Sequence, residues 1–146
     1  MAFYQGGRRT KRALPKELIP SEDNECMTLV DYLTAKGFLF THLAQETPTG
    51  SMKYGVWVKN HKALARNKAM GVNKGFPDYV VFVPEGKSKT GESKALIIEM
   101  KKEYGGSTSQ EQKVWLENLG QVMGIETAVA RGFDEAKQFI ESHTKP

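Results

Sequence analysis

The stretch "GFPDYVVFVPEGKSKTGESKALIIEMKKE", residues 75–103, contains two apolar runs in an otherwise polar part of the chain. The runs at 78–84 and 94–102 are rich in β-branched residues and have the length of strands. The residues between them are polar and include glycine. The stretch therefore predicts two strands joined as an antiparallel hairpin.

Three charged side chains interrupt these apolar strands: Asp78 opens the first, and Glu99 and Lys101 lie near the end of the second. Side chains alternate between the two faces of a strand, so Glu99 and Lys101 share a face with Ile97. Both faces are otherwise apolar, which predicts a central strand that is covered on each side. Because the start of one hairpin strand faces the end of the other, we expect Asp78 to lie beside the other two charges.

Charges in such a place are costly unless they are paired or bound to a metal. One interpretation is a buried carboxylate–lysine ion pair with no catalytic role. The other is a site in which two carboxylates bind Mg²⁺ or Mn²⁺ while the lysine orients a water or stabilises charge on a phosphate. A site of this second kind has the groups needed for phosphodiester hydrolysis.

The composition indicates a soluble globular protein: 146 residues, 39% hydrophobic and 26% charged. No apolar run is long enough to cross a bilayer, and the N-terminus lacks the hydrophobic segment of a secretory signal. Cys26 is the single cysteine, which excludes an intramolecular disulfide and fits a reducing compartment. We therefore expect a cytoplasmic protein with no membrane partner and no Cys/His zinc site.

The net charge of +4 is unevenly distributed. Residues 1–16 and residues 47–77 contain lysines and arginines but no acid. Acid-free basic segments are typical of proteins that bind a polyanion. A solvated, slightly basic surface explains the same charges, so charge by itself leaves both interpretations open.

The rest of the chain predicts a flexible basic N-terminal arm over residues 1–20 and a single domain over residues 21–146. The predicted elements are a helix capped by Ser21 and ended by Gly37, strands at 38–43 and 55–59, a loop or short basic helix at 60–71, the hairpin, a helix at 108–124, a strand at 125–130 and a helix at 133–143. The third of these helices places Gln112, Trp115, Leu116, Leu119 and Met123 on one side. This order predicts an α/β fold with a central mixed β-sheet flanked by helices.

Three segments together resemble a known family: "NKAMGVNKGFPDYVVF", "IIEMKKEYGGSTSQEQKVWLENLGQVMG" and "ETAVARGFDEA". Their Pro-Asp and Glu-x-Lys motifs resemble the PD-(D/E)xK nuclease superfamily. More narrowly, the order of motifs is similar to that of the virus-type replication-repair nuclease domain, VRR-NUC. The resemblance extends over roughly residues 21–140 and implies a restriction-endonuclease-like core.

The resemblance implies a DNA endonuclease that depends on Mg²⁺ or Mn²⁺. Carried over residue by residue, the implied metal ligands are Asp78, Glu99 and the backbone carbonyl of Met100. Lys101 corresponds to the catalytic lysine of the family.

The family also uses an acid on its first helix, and Glu22 and Glu25 are the candidates. At 100° per residue, Glu22 falls inside the apolar stripe that contains Cys26, and the family pattern favours Glu22 as well. An acid in a first helical turn is also explained by the helix dipole. Similarly, Ser109 and Gln112 form the pattern of a capping box, whereas the resemblance makes Gln112 a neighbour of the active site.

The basic segment supplies three candidates for phosphate contacts, Arg66, Lys68 and Lys74, each of which is equally compatible with a plain surface position. Two features depart from the family pattern: Cys26 stands where glutamine is common, and segment 44–59 lacks the usual Asn- or Gly-rich character. These departures leave substrate preference open.

The small chain resembles the stand-alone phage and bacterial members, which implies a homodimer that acts on branched DNA such as four-way (Holliday) junctions in DNA repair. The alternative is a non-catalytic DNA-binding module that has retained the nuclease fold. A sequence-reading restriction nuclease is a third possibility, but no segment is long enough for a recognition subdomain.

Overall fold

The computed structural model describes residues 19–43 and 50–146. Most of the N-terminal arm expected at residues 1–20 therefore lies outside the described residues, as does part of segment 44–59. The elements in chain order are α1 (Glu22–Ala35), β1 (Leu39–His42), β2 (Gly50–Lys53), β3 (Val56–Lys59), α2 (His61–Ala69), β4 (Tyr79–Val83), β5 (Lys94–Lys101), α3 (Gln110–Leu119), β6 (Ile125–Arg131) and α4 (Gly132–His143). In this part of the chain, no helix combines the length and the apolar character needed to cross a membrane.

The main sheet has four strands in the order β1-β4-β5-β6. β4 pairs antiparallel with both β1 and β5, whereas β5 pairs parallel with β6. The parallel connection passes through α3, as a crossover between parallel strands requires. The predicted hairpin and the predicted mixed sheet are both confirmed.

Helices cover both faces of this sheet, as the sequence predicted. On one face, α1 and α4 pack over alternate residues of β4, β5 and β6, and the core includes Leu29, Leu33, Ile98 and Ile140, each fully buried. On the other face α3 contributes the buried Leu116, whose carbonyl accepts a bond from the Thr127 hydroxyl at 3.3 Å. Each fully buried leucine or isoleucine stabilises the fold by about 1.5–3 kcal/mol relative to an exposed one.

Both ends of helix α1 are capped by side chains. The Ser21 hydroxyl accepts a bond from the Asn24 amide at 3.2 Å, as expected for an N-cap. At the other end, the Lys87 ammonium donates to the carbonyls of Lys36 at 2.9 Å and Gly37 at 2.6 Å. A cation at this position satisfies carbonyls that have no partner within the helix and opposes the negative end of its dipole.

A second sheet, of strands β2 and β3, stands apart from the main one. Strand β2 was not among the elements predicted from sequence, because Gly50–Lys53 lack β-branched residues and become a strand by pairing with β3. Segment 60–71, predicted as a loop or short basic helix, contains helix α2 (His61–Ala69), which is capped by the Asn60 side chain accepting from the Ala63 amide at 3.1 Å.

The predicted extent of α3 was also wrong. The helix ends at Leu119, with Gly120 as its C-cap. Met123 therefore lies beyond the helix and is 98% exposed instead of sharing the apolar face.

Candidate active site

The candidate site lies where β5 extends past the start of β4. Pairing of β4 with β5 ends at Tyr79 opposite Ile98, whereas β5 continues alongside β6 as far as Lys101. The Met100 amide consequently has no strand partner on the β4 side. Asp78 takes that place, because its Oδ2 accepts the Met100 N–H at 2.7 Å. The sheet is therefore open at this end, and a carboxylate lies in the opening.

Glu99 is the buried centre of the site, with 1% of its surface exposed. Its Oε1 contacts the Lys101 ammonium at 2.8 Å and accepts a hydrogen bond from the Gln112 amide group. Its Oε2 is buried and has no hydrogen-bond partner. Oε1 of Glu99 therefore has two polar partners, whereas Oε2 has no hydrogen-bond partner.

Burial raises the pKa of Glu99, and the neighbouring Asp78 carboxylate raises it further. Hydrogen bonding to Lys101 and the charge of this lysine act in the opposite direction but do not cancel the rise. Two carboxylates thus lie close together with one nearby ammonium group. This arrangement disfavours the ionised form of Glu99 until more positive charge is supplied.

Gln112 connects the site to the start of α3. Its Oε1 accepts from the Ser109 amide at 2.9 Å, and its backbone N–H donates to the Ser109 hydroxyl at 3.2 Å, which completes a capping box. Its amide nitrogen donates to Glu99. The capping role and the contact with the site, which were alternatives from sequence, are therefore both present in one side chain.

The loop before β4 is fitted closely against α3. Gly75 has φ +85°, and a Cβ placed on it would come within 2.7 Å of Glu111 and 2.9 Å of the Gln112 nitrogen. The Trp115 indole donates to the Lys74 carbonyl at 2.9 Å and packs edge-on against Phe76, with ring centroids 5.0 Å apart. Trp115 is thus a packing residue that holds the loop leading to the site.

The two candidate acids on α1 have different surroundings. Glu25 is engaged at the start of α4, where its Oε2 accepts the Phe133 N–H at 2.6 Å. Glu22 is half-buried and lies one turn before Cys26. Burial raises the pKa of the Cys26 thiol, and the charges of Asp78 and Glu22 raise it further. Cys26, one turn after Glu22, therefore lies near Asp78.

The residues at the open edge fit a divalent cation. No group of three or more His, Cys, Asp or Glu side chains in residues 19–43 and 50–146 is placed to hold a metal. The set here instead comprises two carboxylates and a peptide carbonyl, since the N–H and C=O of Met100 point to the same edge of an extended strand. Oxygen donors of this kind suit Mg²⁺ or Mn²⁺, and Glu99 has an oxygen without a partner.

Comparison with known proteins identifies the family to which the chain belongs. The profile of the VRR-NUC domain matches residues 27–134, more than half of the chain. The chain belongs to the VRR-NUC domain family. A solved structure described as a "VRR_NUC domain protein" is similar with a TM-score of 0.60 and 20% sequence identity, over 85% of this chain and 88% of that one. No curated protein matches the sequence.

The family assignment confirms the restriction-endonuclease-like fold. It also gives the chain a nuclease-type function that involves DNA, in a family that generally uses divalent metals. The structure explains why this chain has a Gly-x-Pro-Asp motif at residues 75–78. Its glycine allows the loop to approach α3, and its aspartate replaces a missing strand partner.

Sequence reasoning missed Arg131, which is the last residue of β6 and lies opposite Lys101 in the parallel register. Its guanidinium donates to the carbonyls of Gly105 at 2.7 Å and Gly106 at 3.3 Å. These bonds hold the loop that begins after Lys101. Only the pairing of β5 with β6 brings these residues together, so no local sequence signal could have revealed the contact.

The three candidate phosphate contacts lie outside this cluster. Arg66 and Lys68 are exposed on α2, and Lys74 is exposed just before the Gly75 loop. None of the three forms an ion pair with another described residue. The structure does not bring the three side chains into contact with Glu99 or Lys101.

Proposed function

We propose that this VRR-NUC chain is a metal-dependent DNA endonuclease that hydrolyses phosphodiester bonds. The observation that supports it most strongly is the pair of carboxylates at the open edge of the sheet, Asp78 and Glu99, with Lys101 at 2.8 Å from Glu99. A purely structural ion pair needs one acid and one base. Here a second acid raises the pKa of the first, which is unfavourable for stability and is expected of a site adapted to bind a cation.

In this proposal Asp78, Glu99 and the Met100 carbonyl hold Mg²⁺ or Mn²⁺. When bound, such a cation supplies positive charge for the phosphate and lowers the pKa of a water molecule. Gln112 fixes one oxygen of Glu99, and the other oxygen is buried without a hydrogen-bond partner. Glu22, which is half-buried on α1 one turn before Cys26, is proposed as a further acid of the site.

Lys101 has a different role in the two states of the site. Without a cation it neutralises Glu99, with its side chain only 13% exposed. When other positive charge satisfies Glu99, the ammonium is free to hydrogen-bond a water or a phosphate oxygen, as a positioned donor in hydrolysis must.

The proposed substrate is branched DNA, such as a four-way junction, cleaved by a homodimer. Arg66, Lys68 and Lys74 are proposed phosphate contacts, because they lie in an acid-free segment and have exposed cations. A symmetric dimer suits a junction with two-fold symmetry, since each protomer can cut one of two equivalent strands.

The test is a cleavage assay on supercoiled plasmid, linear duplex and synthetic four-way junctions, with Mg²⁺, Mn²⁺ or EDTA. Asp78→Asn and Lys101→Met should each reduce cleavage by roughly 100-fold or more. Lys102→Met is the matched control, because Lys102 is the next residue and is exposed, and it should retain activity. Cleavage that survives in both site variants would refute the assignment, and DNA binding without cleavage of any substrate would favour the non-catalytic module.

A further inference from the structure

Residues 50–72 include Arg66 and Lys68, which are proposed above as phosphate contacts, and a hairpin that has no role in that proposal. The segment consists of the β2–β3 hairpin, helix α2 and the turn after it, and is called the 50–72 arm below. Every residue of β3 is exposed, and α2 has no buried residue. The segment carries lysine and arginine but no acid, so its charge is complementary to a polyanion.

One aromatic side chain in the 50–72 arm packs against the backbone of the hairpin. The Trp57 indole lies across Gly50: a Cβ placed on Gly50 would come within 2.9 Å of the ring atoms Cε2 and Cζ2. The absence of a side chain at Gly50 thus lets one side of the ring rest on the hairpin. Trp57 is nevertheless 46% exposed, so a large part of the ring remains open to solvent.

A cation lies on the same face of the hairpin. Gly50 pairs with Lys59, and Met52 pairs with Trp57. Because cross-strand partners share a face and alternate residues of a strand do too, Lys59 and Trp57 lie on one face. The opposite face carries Val58, which is 44% exposed. A restrained aromatic ring beside a lysine is the combination that binds single-stranded nucleic acid, through base stacking and phosphate contact.

We propose that the 50–72 arm binds unpaired bases, with Trp57 as the stacking platform and Lys59 as its phosphate contact. A ring can stack only on a base whose face is uncovered, so the arm selects DNA with a single-stranded segment over intact duplex. The inference rests on the proposed function and narrows its substrate to branched DNA that carries unpaired bases. A second copy of the chain is a poorer occupant, because two acid-free basic segments repel each other.

The test measures binding in EDTA, where cleavage does not interfere, with the full chain and two fluorescein-labelled DNAs: a blunt duplex and the same duplex with a single-stranded thymidine flap. Trp57→Ala should weaken binding of the flap by about 5- to 100-fold and change binding of the blunt duplex less than about 2-fold. Trp57→Phe keeps an aromatic ring and should retain most of the affinity. Val58→Ala, on the opposite face, is the matched control and should match the wild type.

Tryptophan fluorescence gives a second measurement. The chain has two tryptophans, and stacking of thymidines on Trp57 should quench the wild-type emission, whereas Trp57→Phe should show no such quenching. Equal flap affinity in Trp57→Ala and the wild type would overturn the proposal, and so would equal losses on both DNAs. A change of oligomeric state in Trp57→Ala, with DNA affinity unchanged, would assign this face to a second copy instead.

The experiments distinguish a failure of the proposed nuclease function from a failure of the proposed role of the 50–72 arm. If the wild type cleaves branched DNA but Trp57→Ala binds the flap normally, only the role of the arm is wrong. If flap binding depends on Trp57 but the wild type cleaves nothing, only the catalytic proposal is wrong.

Discussion

Replacement of Gly75 by alanine tests whether the loop before β4 positions the catalytic groups through α3. An alanine at φ +85° is strained by about 1–2 kcal/mol. Its Cβ would also come within 2.7 Å of Glu111 and 2.9 Å of the Gln112 nitrogen, which are helix backbone and first side-chain atoms that cannot rotate away. Overpacking of this kind costs about 1–3 kcal/mol. The expected loss in the free energy of unfolding is therefore about 2–5 kcal/mol in total.

The matched control is Gly91→Ala, because Gly91 has φ +76° and no atom within 4 Å of the added Cβ. Both variants lose the same chain entropy in the unfolded state, so the difference between them isolates the steric contribution. Urea denaturation should show Gly75→Ala to be less stable than Gly91→Ala by about 1–3 kcal/mol. The cleavage rate should also fall only in Gly75→Ala, because a shift of α3 moves Gln112 away from Glu99. Equal losses of stability in the two variants would refute the reasoning.

Three further predictions concern groups outside or within the proposed site. Lys87→Met removes the cation that closes α1 and should lower stability by about 1 kcal/mol in urea denaturation, with cleavage unchanged. Glu25→Gln weakens the bond to the Phe133 N–H and should lower stability by about 0.5–2 kcal/mol, whereas Glu22→Gln should lower cleavage but not stability. Glu99→Gln should abolish cleavage. In the metal-free protein, the stability of Glu99→Gln relative to the wild type should also increase as the pH rises above about 4.5, the ordinary pKa of the carboxyl group.

The sign of the last effect follows from the raised pKa of Glu99. As the pH rises, the unfolded chain releases this proton first, so the folded state loses stability until its own carboxyl group ionises. Urea denaturation in EDTA between pH 4.5 and 8 measures the difference in unfolding free energy between Glu99→Gln and the wild type, and a difference that stays constant with pH would contradict the prediction.

Lys89→Met, at an exposed lysine near Lys87, is the control for Lys87→Met. Loss of cleavage in Glu25→Gln with stability unchanged would reverse the roles of the two α1 acids.

The sequence predicted the central hairpin because its two apolar strands are long, β-branched and separated by a polar turn. The position of the charged groups followed from the same pattern, since hairpin pairing brings Asp78 to the level of Glu99. The buried helix faces were also predictable from their spacing. Leu29 and Leu33, four residues apart on α1, are both fully buried.

Other features depend on contacts between distant segments and left no local signal. β2 contains glycine, serine and lysine and becomes a strand only by pairing with β3. Glu25 binds the Phe133 N–H, more than a hundred residues later in the chain, so periodicity could not separate its role from that of Glu22. The double role of Gln112 likewise depends on how α3 is positioned relative to β5, which the sequence does not specify.

The most direct test of the central claim is a calorimetric titration of the metal-free protein with Mn²⁺, at neutral pH and without DNA. The wild type and Lys102→Met should show saturable binding, and Asp78→Asn should lose it although its fold, checked by circular dichroism, is retained. Saturable Mn²⁺ binding of equal affinity in Asp78→Asn would contradict the claim that the carboxylates at the open edge of the sheet form the metal site.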